Sequence, residues 1–510
     1  MKKTQTFKLV LVSLSVAAAF LASSGCRHAA KAPSIYDESS ELPVVYPDYV
    51  ETTFPPNIAP ANFMIEEDAQ DCVVRLTGAD GSVVCVSGKK AIFPEKQWRK
   101  LLNANRGGKI AVDVFVKKDG KWLKYKTFEN DVSNDPTDAY LAYRLIEPGY
   151  DYGHRIALAQ RHVENFDEQL FFDNRNTASS PCVNCHSFQD RKTDRFLFHY
   201  RRTDDPIHGG TIVVNGRQAV KLSGKVDVDG INCTYPSWRP SGDLVAFSAN
   251  YTRQFFHSLS SQKLEVFDAF SDLVLMDAAK NEIRVIAKTD DEFETFPYWA
   301  PDGNTLYYCS AHVVPKTTQD SPEVRVEEMV KRATDLRYNI YKMSFDESTL
   351  TFGTPELVVD AVSQGRSALF PRISPDGKWL VYTLAESGTF SIWRPEADLY
   401  LLNLETGDVR AWDEVNGGDS DSYHSWSSSG RWLVFSSRRE DGQYTRLYLT
   451  HVDENGVATK PFVIPQRDPE HNRRRYKSYN VPEMIVEPIK IDYRELVKTA
   501  KEEPLGTKNL

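Results

Sequence analysis

Cysteine and methionine are scarce in this chain, at seven and six among 510 residues. That scarcity excludes a fold stapled by many disulfides. A basic excess is also missing: Lys and Arg number 62 against 71 Asp and Glu, for a formal net charge of −9. With no basic stripe either, nucleic acid is not expected as a partner. Beyond the N-terminus no apolar run is long enough to cross a bilayer as a helix. GxSxG, the P-loop pattern and HExxH are all absent, which removes three common routes to catalysis. The length implies two or three domains.

What is present begins at the first residues. Lys2, Lys3 and Lys8 introduce an apolar run over 9–21, and Ala22-Ser23-Ser24-Gly25 then leads to Cys26. This reads as a secretory signal over 1–25 rather than a permanent span. Small residues before a cysteine resemble the bacterial lipobox, although Ser23 stands where leucine is usual. The resemblance implies a chain lipidated at Cys26 and held in the cell envelope by acyl chains, on the outer membrane facing the periplasm. An ordinary signal, with Cys26 incidental, is the other reading. Residues 26–45 are polar and read as a tether.

Over 46–134 short alternating strands are separated by Asp80-Gly81 and Asp119-Gly120, which are hairpin turns by composition. A small β-sandwich, immunoglobulin-like, is the expectation. Cys72 and Cys85 flank the first of these turns and form a candidate disulfide. In the next stretch, 135–180, Ile156, Ala159, Val163, Phe166 and Leu170 recur at helical spacing, so a linking helix is expected there.

From about residue 181 repeats dominate. Tyr235-Pro236-Ser237-Trp238 opens a segment that turns through Pro240-Ser241-Gly242 into an apolar strand. Phe296-Pro297-Tyr298-Trp299 with Pro301-Asp302-Gly303 repeats it, as do Phe370-Pro371-Arg372-Ile373 with Pro375-Asp376-Gly377 and His424-Ser425-Trp426 with Ser428-Ser429-Gly430. These four copies resemble the TolB-type β-propeller repeat. Tyr479-Asn480-Val481-Pro482 is a degenerate further anchor, and Cys185-His186-Ser187-Phe188 matches the same pattern one blade before Trp238. Six anchors predict an all-β fold whose main part is a six-bladed propeller over 181–491, followed by a charged tail over 492–510. The anchors stand farther apart than the roughly 40–50 residues a blade needs. The polar segment 251–267 and the helix-like segment 323–337 are therefore read as insertions projecting from the rim as loops.

Cys182-Val183-Asn184-Cys185-His186 is the chemical motif. CxxCH is the attachment pattern of haem c: the two thiols bond the porphyrin and His186 ligates the iron. A CxxC disulfide and a structural metal site with His186 as a third ligand are the alternatives. The sixth iron ligand is open among His154, His162, His199, His208 and His424, the last of which also begins a repeat anchor. Glu396, Asp398, Asp419 and Asp421 are acids that could bind calcium or sugar hydroxyls, or simply line a solvated loop.

The β-rich N-terminal part, the CxxCH at the first blade and the TolB-like ring together are similar to the propeller part of the hydrazine synthase alpha subunit. With one CxxCH and no haem-bearing C-terminal domain, the resemblance implies architecture rather than hydrazine chemistry. Two functions are thus expected. One is a periplasm-facing, lipid-anchored propeller with one haem c in electron transfer or a haem-dependent redox step. The other is a non-enzymatic TolB-like scaffold that binds a protein partner through one face.

Overall fold

The computed structural model describes residues 30–148, 155–177, 181–202, 208–226, 232–257, 262–287, 289, 291–313, 322–332 and 334–510. Cys26, the signal segment and His154 lie outside them.

The chain is mostly β and is divided among many small sheets. The N-terminal part holds a seven-stranded sheet centred on Lys109–Lys118, which pairs antiparallel with Asp71–Gly78, Lys121–Lys124 and Phe128–Val132. Asp119 and Gly120 both take positive φ, 49° and 77°. That is the twist a two-residue hairpin needs to match its strands. In place of a second sheet of similar size there is a three-stranded one, Val45–Tyr46, Phe63–Ile65 and Lys90–Ala91. The helix Glu95–Ala104 buries Trp98, Leu101 and Leu102.

The expected disulfide does not form: Cys72 and Cys85 are both free. The register pairs Cys85 with Arg75, three positions from Cys72 on the same strand. Side chains alternate faces along a strand, so an odd offset points the two thiols to opposite sides of the sheet. Cys233 and Cys309 are also free and buried, in different sheets.

Six further antiparallel sheets follow. The linking helix expected over 135–180 is instead three strands, Tyr140–Ile146, Ile156–His162 and Glu168–Asp173. They form sheet one together with Ser478–Ile485, a strand from near the C-terminus. The helical spacing misled because Ile156–His162 is covered on both faces. Ile156 and Leu158 face one core, and Ala157 and Ala159 face another. A doubly buried strand loses its clean alternation. The ring therefore starts at Tyr140 rather than at 181.

Sheets two to six start at Cys182–Phe188, Asn232–Trp238, Glu292–Trp299, Ser367–Ile373 and Asp421–Trp426. Each runs outward from that strand as a meander, and the first strands touch one another in a closed cycle that passes through Ser478–Ile485. This arrangement is compatible with a β-propeller.

The insertions behave differently from rim loops. Tyr251 to Phe256 and Leu264 to Phe267 extend two strands of sheet three, Leu244–Phe256 and Leu264–Asp277, into a ribbon. Its Leu264 and Val266 pack on Phe390 and Ile392 of the segment that joins two strands of sheet five. A buried Glu265–Arg394 pair at 2.7 Å fastens it there. The second insertion contains the helix Pro322–Arg332, which buries Met329.

The tail is a strap. Its helix Tyr493–Lys501 adds Leu496 and Ala500 to the core between sheets one and two. Leu505 then bridges Leu222, and Lys508–Asn509 pairs parallel to the outer strand Glu282–Ala287. The N-terminal part shares one core with sheet six: Phe54 meets Phe462 at 5.1 Å, and Trp432 donates to the Asp135 carbonyl at 3.0 Å.

Candidate functional site in the central channel

Each of the six innermost strands carries the same irregularity. One residue in each takes left-handed backbone: Cys185, Tyr235, Phe296, Phe370, Tyr423 and Val481, with φ between 48° and 56°. At each, the pairing with the neighbouring strand slips. Left-handed backbone costs a non-glycine residue about 1–2 kcal/mol. A repeated β-bulge that re-aims a side chain is the kind of structure in which such strain persists. Here all six side chains line the channel. Tyr235, Phe296, Phe370 and Tyr423 form an aromatic arc with successive ring separations of 4.5, 4.1 and 4.8 Å. Cys185 and Val481 complete the collar.

The next position in each strand is His186, Pro236, Pro297, Pro371, His424 or Pro482. Proline has no N–H to give a ladder, and an innermost edge asks for none. Histidine replaces it only twice. His424 has a structural role, its Nε2 lying 3.0 Å from the Val381 carbonyl. His186 is fully enclosed, with the Val481 backbone and the Glu483 carboxyl as its polar neighbours, and neither ring nitrogen reaches ordinary hydrogen-bond geometry. The Glu483 carboxyl stands 3.5 Å from Nε2. Burial first, and the Arg144 charge second, hold the imidazole neutral, with its pKa down at about 3.

Two cavities meet at the collar. On the Cys182 side a partly open space of about 100 Å³ is lined by Cys182, Cys185, His186, His199, Arg144 and Arg201 among others. The ribbon roofs it through Thr252, Gln254 and Val266. Both ring nitrogens of His199 are buried without hydrogen bonds, and burial keeps this imidazole neutral as well. Burial pushes the Cys185 thiol up to about 11, against the lowering field of Arg144 and Arg201. On the other side a chamber of about 360 Å³ is lined by Glu483, Arg372, Tyr298, Trp238, Trp299 and Trp426 among others. Burial raises the Glu483 carboxyl to about 8, with Arg372 and Arg191 pulling it back.

Cys182, Cys185, His186 and His199 are thus brought together, while the other candidates are dispersed. His162 meets the Tyr140 ring edge to face in sheet one, at 4.6 Å between ring centroids, and His208 lies half-buried beside Glu503. Asp421 and Asp419 pair with Arg439 and Arg438, and Glu396 lies 4.0 Å from Arg394. Among the described residues no group of three or more His, Cys, Asp or Glu is placed to hold a metal ion. Arg144 and Glu483 went unforeseen. The signal for Arg144 was a lone arginine within the apolar strand Tyr140–Ile146.

The donor types suit a covalently attached haem: two thiols, two buried neutral imidazoles, His186 and His199, and the guanidinium groups of Arg144, Arg201 and Arg372. The space, about 100 Å³, is smaller than a porphyrin.

No family model and no curated protein matches this chain. Among solved structures it is similar to an oligogalacturonate lyase in complex with manganese, at 15% identity over 68% of this chain and 87% of that one, with a TM-score of 0.31. A luciferin-regenerating enzyme shares 9% identity over 64% and 92%, with a TM-score of 0.35. The GH74 enzyme of Niastella koreensis shares 10% over 64% and 46%, with a TM-score of 0.38. At these values the likenesses bear on no property of the site.

Proposed function

We propose that this chain is a six-bladed, TolB-like β-propeller carrying one haem c on Cys182, Cys185 and His186, and that it serves electron transfer or a haem-dependent redox step in the cell envelope. The blade count is supported by six meanders in cyclic contact and six equivalent bulges. An acyl anchor at Cys26 would hold it at the outer membrane, with a protein partner on one face of the ring.

The observation that carries the haem is His186. An imidazole buried with only the Val481 backbone and a carboxyl at 3.5 Å for polar company recovers little of the hydration it loses. Kept neutral, it is in the form that gives a lone pair to a metal. Its cavity holds both thiols of the motif. Attachment adds each S–H across one vinyl double bond, forming a C–S bond and leaving the hydrogen on the adjacent carbon, so no oxidant is consumed. The bound group would supply one-electron chemistry. The chain's own part is to fix the imidazole through the bulge at Cys185, exclude water with the aromatic arc, and set positive charge nearby through Arg144.

The test is full-length protein made in a host with a cytochrome c maturation system. A mass increase of one haem that survives denaturation, with a pyridine haemochrome spectrum, is expected. Both should vanish in the Cys182→Ser, Cys185→Ser double variant. Unmodified mass from a maturation-competent host would overturn the haem and leave the scaffold reading.

A further inference from the structure

Arg144 lies in the middle of Tyr140–Ile146 in sheet one and is only 3% exposed. Among the described residues it has no ion-pair partner and no hydrogen bond, and its Nε is fully buried. Its guanidinium borders the cavity on the Cys182 side, near enough to Cys185 and His186 for its charge to act on both. Arg201 borders the same space and donates to Thr252 Oγ1 at 3.4 Å. Arg372, whose guanidinium sits 4.8 Å over the Tyr298 ring, reaches it from the collar. No Asp or Glu is among the described residues that line this cavity.

An uncompensated guanidinium away from water costs several kcal/mol, so buried charges are paired or bind a ligand that pairs them. A structural arginine here would be expected to reach a carboxylate or a set of carbonyls, as Arg446 does with the carbonyls of Lys477, Asn472 and Arg475. Arg144 does neither. A guanidinium presents a fork of donors matched to the paired oxygens of an oxyanion.

We propose that the Cys182 side of the channel is an oxyanion site, with Arg144 as the fixed counter-charge for a carboxylate or a comparably small oxyanion. Two sources share that chemistry. One is a propionate of the attached haem, and this arm rests on the function proposed above. The other is a diffusible small anion, which matches the space as it stands and is independent of haem.

The experiment uses the full chain and three forms: wild type, Arg144→Met and Arg144→Lys. Haem-free protein is titrated with acetate and with inorganic phosphate, followed by thermal unfolding and calorimetry. Haem-loaded protein, if it forms, is examined for midpoint potential at equal haem content. For a diffusible anion, acetate or phosphate raises the melting temperature of the wild type. Arg144→Met weakens that binding by about tenfold or more, and Arg144→Lys restores part of it. For a propionate, Arg144→Met keeps its haem but shows a lower potential, because a positive charge beside the ferric centre is gone, and Arg144→Lys recovers it. In both cases Arg144→Met in anion-free, haem-free buffer melts no lower than the wild type, since it removes a buried charge that has no partner. Absence of haem from the wild type ends the first arm and leaves the second standing. If Arg144→Met melts lower in that buffer, Arg144 is structural and the proposal is overturned. It is equally overturned if the variant matches the wild type in both anion response and potential.

Discussion

At the scale of single residues, this chain keeps several ionisable groups where water does not reach, and each has a measurable signature. Asp268 on the strand Leu264–Asp277 is 2% exposed, and its Oδ2 has no hydrogen-bond partner among the described residues. Burial lifts its carboxyl to about 7, with the Asn250 side chain pulling it back. The folded state therefore holds a proton that the unfolded chain releases near pH 4. Stability from this group is complete below that pH and is lost as the pH rises through 7, by about 4 kcal/mol at the limit. Asp268→Asn should flatten this part of the stability profile and raise the melting temperature at pH 8; urea melts from pH 4 to 8 on both proteins check it. An unchanged slope would mean that another group carries the proton. None of this was legible in the sequence, where Asp268 lies just past the polar segment read over 251–267. The CxxCH could be singled out because its pattern lies in spacing along the chain. Arg144 and Glu483 were not, because their meaning lies in what surrounds them across the ring.

At the scale of elements, the ribbon and the closing strand decide access to the channel. The ribbon is fastened by Glu265–Arg394, with both side chains 8% exposed. Removing one partner of a buried pair strands the other charge and costs about 3–5 kcal/mol. Arg394→Ala should release the ribbon before it unfolds the ring. Limited proteolysis within 251–267 and faster alkylation of Cys185, in protein without haem, would report this; a variant that merely lowers the melting temperature, with Cys185 still protected, would contradict it. The tail offers a graded contrast. Ending the chain after residue 491 removes Leu496 and Ala500 from the core between sheets one and two. It should lower the melting temperature while sparing the ring. Ending it after residue 477 removes the strand Ser478–Ile485 and leaves the Tyr140–Ile146 edge unpaired, so aggregation is expected instead; size-exclusion chromatography separates the two outcomes. The repeated anchors made most of these elements readable, since Pro-Asp-Gly and its variants mark a turn by local chemistry. The strand Ile156–His162 was misread because its burial on two sides erased the period that distinguishes strand from helix.

At the scale of the whole molecule, one core runs from the N-terminal sheets into sheet six. Trp432 is fully buried at that seam, edge to face with His451 and donating to the Asp135 carbonyl. Trp432→Ala should cost about 3–5 kcal/mol. Because the core is shared, calorimetry should show the N-terminal part and the ring melting together in the wild type and at separate temperatures in the variant. A single transition at lower temperature in the variant would show that other contacts suffice to couple them. The sequence suggested two units joined by a linker, since no local pattern announces that Phe54 will pack on Phe462.

The left-handed residue at Val481 has a consequence in time. Cys185 and His186 emerge from synthesis early, whereas the residue that walls them in on one side belongs to the last strand of the ring. Until residues 478–485 are made and paired, the motif stands at an open seam. Chemistry that needs a bulky reagent to reach those side chains has its easiest passage in that interval. A protein handed to its modifying machinery only after the seam has shut should be modified slowly, at the rate at which the closing strand lets go.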